Sequence, residues 1–274
     1  MKNNSLQYNI IWLNGMPRSG TSWLSQIYDS HPDVNFKLSP LFSYQFKNVV
    51  NESSTIAEWN SFLDDVYQSD DLFINQVERR KRGEYPEFEE KFETPQNLVI
   101  KDTRYHNLTY RILELFPDIK IIHIVRNPCG AINSWLKAPR EFPANADIFE
   151  NWKTGAIRKT APEEFWGFDD WKKITAMYIE LENRFPNTVF VVKYEDLVNN
   201  PVDVTKKMFE FSGLIIHKQT ISFLELSHKI NLNSEYAVFK DKSVKNNWKK
   251  ELPDEIQGTI FHELRGTNLE RFLD

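Results

Sequence analysis

Cysteine is almost missing from this chain. Cys129 stands alone among 274 residues, so no internal disulfide can staple the fold. A surplus of positive charge is missing too: 34 Lys and Arg face 39 Asp and Glu, the net charge is −5, and the isoelectric point is near 5.8. Nucleic-acid-binding domains are usually basic, so no nucleic-acid partner is expected. Long apolar runs are also lacking. The first, Ile10–Leu13, is far shorter than the ~20 residues a membrane span needs, and Met1–Tyr8 has no apolar signal core. A soluble, cytoplasmic protein without a membrane span is expected. His31, His106, His123, His217, His228 and His262 are scattered without metal-ligand spacing, so no metal is expected. What is present is 41% apolar and 14% aromatic content, enough to fill the core of one domain spanning residues 1–274.

Four short runs rich in β-branched residues stand out: Ile10–Leu13, Leu98–Ile100, Ile119–Val125 and Thr188–Val192. None alternates cleanly, so each reads as a strand buried on both faces. Helical periodicity falls between them, at Ser54–Asp65, Leu108–Phe116, Phe168–Phe185 and Val202–Phe211, the last closed by Gly213. Strands alternating with helices predict a single α/β domain with a central, mostly parallel sheet flanked by helices. Residues 137–167 and 227–250 read as insertions, open to two uses: a lid or acceptor pocket over the strand ends, or surface decoration. Glu84–Pro95 reads as an acidic loop.

The chemistry concentrates at Asn9–Leu24. A strand runs into a glycine loop, Gly15 to Gly20, and then into a helix. That arrangement presents loop amides and a helix N-terminus to an anion. The spacing of the two glycines is that of a nucleotide triphosphate P-loop, but Thr21 stands where the P-loop lysine belongs. The loop's only cation is Arg18. Ile119–Trp135 repeats the theme. Arg126 follows a strand directly, Pro128 suits the first turn of a helix, and Ser134 lies about two turns into it. An arginine at a strand end can fork onto a phosphate or pair on the surface; joined with the first loop, it reads as a second anion site.

With those residues in place, Pro17–Trp23 resembles the loop with which sulfotransferases grip the 5′-phosphosulfate of 3′-phosphoadenosine 5′-phosphosulfate (PAPS). Arg126-Asn-Pro with Ser134 is similar to the family's 3′-phosphate element. Val192–Leu197 resembles its strand-end Tyr-Glu-Asp segment, and Phe239–Trp248 resembles the basic segment that closes over the cofactor. The matches keep family order from Ile10 to Trp248. The resemblance implies a P-loop NTPase-like fold and transfer of a sulfuryl group from PAPS to a hydroxyl or amine, releasing adenosine 3′,5′-bisphosphate without a metal. The acceptor would be a small molecule, glycan or lipid.

The resemblance also implies roles. Arg18 would meet the charge that builds on the bridging oxygen. Ser19, Gly20, Thr21 and Ser22 would donate to the 5′-phosphate. Trp23 would pack on the adenine, unless it is a core residue of the first helix. Arg126 and Ser134 would hold the 3′-phosphate, with Tyr194 in the strand-end segment nearby. Lys240, Lys242, Ser243 and Lys245 would belong to the closing segment or to a solvated face. On the acceptor side, cytosolic members carry Lys-Thr-His, whereas this chain reads Lys101-Asp-Thr-Arg-Tyr-His106. Lys101 matches and Thr103 replaces the histidine. Lys101-Asp-Thr-Arg104 is closer to the Lys-Asp-Pro-Arg-like segment of other branches, making Asp102 the first candidate base and His106 the second. Asp102 is equally suited to an ion pair or a helix cap. Other branches place a Glu base just after the first helix; His31–Pro40 contains none.

Two competing functions remain. A non-catalytic binder of adenosine 3′,5′-bisphosphate is favoured by the missing histidine. A P-loop kinase needs a lysine after Gly20 and an aspartate for magnesium at a strand end, where Thr21 and Arg126 stand. Phe42, Tyr44, Phe46, Phe142, Phe149, Trp152, Phe165 and Trp166 could wall an acceptor pocket or fill the core. The run Arg79–Arg82 could meet an acidic acceptor or form a solvated helix face.

Overall fold

The computed structural model describes residues 6–227 and 246–273. Runs that do not alternate must be covered on both sides, and the five strands obey. They are β1 (Asn9–Gly15), β2 (Val34–Leu38), β3 (Asn97–Asp102), β4 (Lys120–Val125) and β5 (Val189–Lys193). Their order in the sheet is β2-β3-β1-β4-β5, and every pairing is parallel. Parallel neighbours need crossovers, and helices supply them. These begin with α1 (Thr21–Asp29), α2 (Ile56–Gln68), α3 (Val77–Lys81), α4 (Thr109–Leu115), α5 (Pro128–Leu136) and α6 (Ile148–Asn151). They continue with α7 (Gly167–Arg184), α8 (Tyr194–Asn199), α9 (Pro201–Phe211), α10 (Lys218–Ser227), α11 (Trp248–Glu251) and α12 (Asp254–Leu264).

The central strand feeds two cores. Ile10 and Trp12 pack with Trp59, Trp171 and Ile179 on one face. Ile11 and Leu13 pack with Leu24, Ile27 and Phe209 on the other. Each such large side chain, fully buried, contributes about 1.5–3 kcal/mol. The four expected strands and the four expected helices are present within a few residues of their anticipated ends. Gly213, with φ 75°, terminates α9 as anticipated.

β2 was not anticipated. Its sequence, Val34-Asn-Phe-Lys-Leu38, alternates, as suits the edge of a sheet, but it lies beside Pro32 and Pro40 in a segment read only for a missing base. Lys37 within it is nearly buried because loops meet its ammonium: Nζ donates to Ser69 O at 2.6 Å and Asn75 Oδ1 at 2.9 Å. Residues 137–167 divide, with a few large aromatics turned into the core and many of the residues between them exposed. Phe142, Trp152, Phe165 and Trp166 are buried and Phe149 is exposed. In the other aromatic segment Phe46 is buried, whereas Phe42 and Tyr44 are exposed. Of residues 227–250, the stretch 228–245 lies outside the described residues, and with it Lys240, Lys242, Ser243 and Lys245. Among the described residues, no helix is long and apolar enough to cross a membrane.

Candidate active site

The glycine loop is shaped by what its backbone must avoid. At Gly15 a Cβ would lie 2.6 Å from Ile124 O, so only glycine lets the end of β1 pass β4. The Ser19 amide then donates back to Met16 O at 3.2 Å, closing a turn. Arg18 (φ 69°) and Gly20 (φ 89°) are both left-handed, which folds the loop back on itself. Such strain in a non-glycine residue costs on the order of 1–3 kcal/mol and gathers at ligand clamps. Gly20 caps α1 without a side-chain hydrogen bond, and no acidic residue lies in the helix's first turn. The first-turn N–H groups therefore lack a side-chain cap, an arrangement that suits an anion. The Ser19 hydroxyl is buried with no hydrogen-bond partner among the described residues. A buried donor left in that condition fits a site whose acceptor arrives with a ligand.

Tyr194, the first residue of α8, braces the loop from outside. A Cβ on Gly20 would lie 2.6 Å from its ring. Its phenol is raised by burial, with Arg126 opposing. The guanidinium of Arg126 lies over the same ring, 4.9 Å from its centre, and its Nη1 donates to Arg18 O at 3.0 Å. Arg126 Nε has no partner among the described residues. Its backbone is held by Trp171, whose indole N–H donates to Arg126 O at 3.1 Å. Asn127 caps α5, accepting from the Cys129 amide at 2.9 Å, and its own amide donates to Glu195 at 3.1 Å. Gly130 on α5 leaves room for the guanidinium; a Cβ there would lie 3.0 Å from Arg126 Nε.

The two anion elements thus form one place. Arg18 Nε donates to Ser134 Oγ at 3.1 Å across 116 positions, and Arg126 reaches the Arg18 carbonyl across 108. Glu141 stands 3.6 Å from the Arg18 guanidinium. Nothing in the sequence around Glu141 marked it for that contact.

The residues expected on the acceptor side lie at the end of the neighbouring strand, β3. Lys101 is buried; desolvation pushes its amine down to about 8, with Arg79 and Arg18 adding to the fall and Asp102 and Glu141 opposing it. Asp102 is 1% exposed, and burial pushes its carboxyl up to about 7 against the pull of Lys101. The Ser39 hydroxyl and the Thr103 amide lie close enough to favour the anion. Even so, neither Asp102 oxygen meets a donor in good geometry among the described residues. Arg104 is taken by Glu164 at 2.9 Å and covers the Phe42 ring at 3.9 Å, so it is not a close partner of Asp102.

His106 lies in a buried helical turn. Its Nδ1 is 3.4 Å from the Tyr178 hydroxyl, its ring meets Phe165 edge-on, and burial pushes it down to about 3, so it is neutral at ordinary pH. Trp23 is a core residue of α1, and its indole donates to Ser227 Oγ at 3.2 Å. The basic run divides: Arg80 pairs with Asp29, Lys81 with Glu78 and Arg82 with Glu84, while Arg79 turns inward to the Tyr85 hydroxyl at 2.7 Å. Cys129 is buried, and its thiol is pushed up to about 12. Among the described residues, no cluster of three or more His, Cys, Asp or Glu could hold a metal ion.

The sequence and the fold have relatives. A family model described as the Sulfotransferase family matches residues 11–218. A carbohydrate sulfotransferase 1 of Danio rerio is 21% identical over 154 residues, 51% of this chain and 34% of its own. An omega-hydroxy-beta-dihydromenaquinone-9 sulfotransferase of Mycobacterium bovis is 23% identical over 131 residues, 45% of this chain and 30% of its own. The match thus spans about a third of the length of these two curated relatives. The fold is similar to that of a mouse sulfotransferase, SULT7A1, solved with PAP: the TM-score is 0.59 at 18% identity, covering 98% of this chain and 88% of that one. From the matched span, which is more than half of the sequence, the chain belongs to the sulfotransferase family.

Proposed function

We propose that this protein transfers a sulfuryl group from PAPS to a hydroxyl of a small molecule, glycan or lipid, releasing adenosine 3′,5′-bisphosphate. The observation that carries the reading is the junction of the two anion elements: Arg18 on Ser134 and Arg126 on the Arg18 carbonyl. A nucleotide with phosphates on both the 5′ and 3′ oxygens matches two adjoining anion sites. The partnerless Ser19 hydroxyl and Arg126 Nε fit those anions.

In the reaction, Asp102 takes the proton from the acceptor hydroxyl, whose oxygen bonds to sulfur. The bond from sulfur to the bridging oxygen breaks, and that oxygen leaves with the electron pair on the 5′-phosphate. Arg18 and the first-turn amides of α1 receive the charge, where preorganised donors are worth most. Lys101 adds positive charge beside Asp102 and Arg18. Asp102 then returns its proton to solvent. Tyr194 holds the loop and Arg126 together, and Trp23 backs the loop from within α1. Lys240, Lys242, Ser243 and Lys245 are proposed to close over the nucleotide. His106, neutral and buried, is kept as support for the site rather than as its base. The relatives' names, one carbohydrate and one quinone lipid, leave the acceptor's class open within this set. A cytoplasmic location is proposed on the lone, buried Cys129, which no disulfide requires.

The test is calorimetric titration with adenosine 3′,5′-bisphosphate and with ADP, both without magnesium. Tight binding of the bisphosphate and weak binding of ADP supports the reading. Equal affinity for both removes the Arg126–Ser134 site.

A further inference from the structure

Three polar side chains stand in one row across the carboxyl edge of the sheet. The register pairs Asn14 of β1 with Asp102 of β3 on one side and with His123 of β4 on the other. Register neighbours on adjacent strands project from the same face about 5 Å apart. All three are buried. Tyr178 of α7 covers the row: its ring stacks on His123 with centroids 3.7 Å apart and planes 9° from parallel. Its hydroxyl accepts from Asn14 Nδ2 at 2.6 Å and lies 2.7 Å from Thr109 Oγ1, to which it can donate. Asn14 Oδ1 pairs with His123 Nδ1, which is therefore the protonated ring nitrogen. The Asn14 amide is thus held at both ends. One of its two N–H bonds serves Tyr178, and among the described residues the other meets no acceptor. Beside it, both Asp102 oxygens want a donor.

We propose that Asn14 is a positioning residue for the transfer step: its second amide hydrogen donates to the Asp102 carboxylate as that group ionises, and His123 with Tyr178 keeps the amide turned to do so. The inference rests on the reading of Asp102 as the base. Lys101 on β3, Ser39 just after β2, and Thr103, Arg104 and Tyr105 after β3 are the other groups that act on the carboxyl or feel it. His123 ends the row on β4, and His106 and Tyr178 face it from the His106–Leu108 turn and α7. Burial pushes both histidines far down, so they carry no charge, and the row acts on Asp102 through a hydrogen bond. A donor to the anion favours ionisation, so removing it must raise the proton affinity of Asp102.

The experiment is a carbon-13 NMR titration of the Asp102 carboxyl in the full chain, run beside the pH profile of kcat/KM, for wild type, Asn14→Leu and Tyr178→Phe. Asn14→Leu should raise the Asp102 midpoint by about one unit, a tenfold gain in proton affinity, and carry the acid limb of the profile with it. Tyr178→Phe, which keeps the stack on His123, should raise it by less, and it decides the matter alone if the Asn14 variant does not fold. An unmoved midpoint in the folded variants, with only melting temperature lowered, overturns the inference. A midpoint that moves while Asp102→Asn retains wild-type turnover supports the Asn14 contact and instead defeats Asp102 as base.

Discussion

Arg126→Ala is the perturbation that separates the two anion sites. Among the described residues the guanidinium makes one hydrogen bond, Nη1 to Arg18 O at 3.0 Å, and it lies over the Tyr194 ring. Losing one such hydrogen bond costs about 1 kcal/mol and would weaken every nucleotide alike, because it loosens the loop. The contact proposed for the 3′-phosphate is charge-assisted, made from Nε and the remaining Nη, and two such bonds are worth about 3 kcal/mol or more. At 1.4 kcal/mol per tenfold, that is on the order of a 100-fold loss for adenosine 3′,5′-bisphosphate beyond the roughly fivefold loss shared with ADP. Arg126→Lys keeps the charge but not the fork, and should fall between. The assay is isothermal titration of wild type and both variants with the bisphosphate and with ADP, with circular dichroism to establish that the fold is intact. Equal losses for the two nucleotides would show that Arg126 serves the loop alone, and the 3′-phosphate role would be refuted.

Arg18→Ala should lower kcat about 100- to 1,000-fold with the melting temperature held within a few degrees, as for loss of one preorganised donor to developing charge; activity within a few-fold of wild type defeats its role. The pH profile of kcat/KM should be a narrow bell. Asp102 must be ionised, so activity rises through about 7; Lys101 must stay protonated, so activity falls through about 8. Asp102→Asn should abolish the rise, and a profile flat from 6 to 9 would argue against both groups. Gly20→Ala should weaken bisphosphate binding at least tenfold, because its Cβ would meet the Tyr194 ring at 2.6 Å in a left-handed backbone; replacing Tyr194 with a smaller residue in the same chain should relieve the clash but not the strain. His106 should titrate near 3 by NMR, and a midpoint near 6 would show that its environment is wetter than the packing implies.

Much of this was legible in the chain because it is local. Ile10–Leu13 and Ile119–Val125 need no partner to be read as buried strands, since the absence of alternation already demands cover on two faces. Gly15 and Gly20 announce a turn that side chains would obstruct, and Arg126 next to Pro128 announces a strand end meeting a helix start. β2 escaped because five alternating residues between prolines carry too short a pattern to outweigh their polar content. The aromatics of residues 137–167 could not be divided between pocket and core from sequence, since burial depends on what packs against them. Trp23 had the same ambiguity, and it is buried among core residues of α1's face.

The sequence by itself therefore determined the strand–loop–helix cradle, the second arginine and the α/β class, because hydrophobic period, glycine and proline act within a few residues. Only the tertiary structure decided that Arg18 meets Ser134, that Arg126 meets the loop carbonyl, and that Asn14 stands between Asp102 and His123 beneath Tyr178. Those contacts join residues separated by 88 to 164 positions. They depend on strand register and helix placement, which the whole core sets and no local segment encodes.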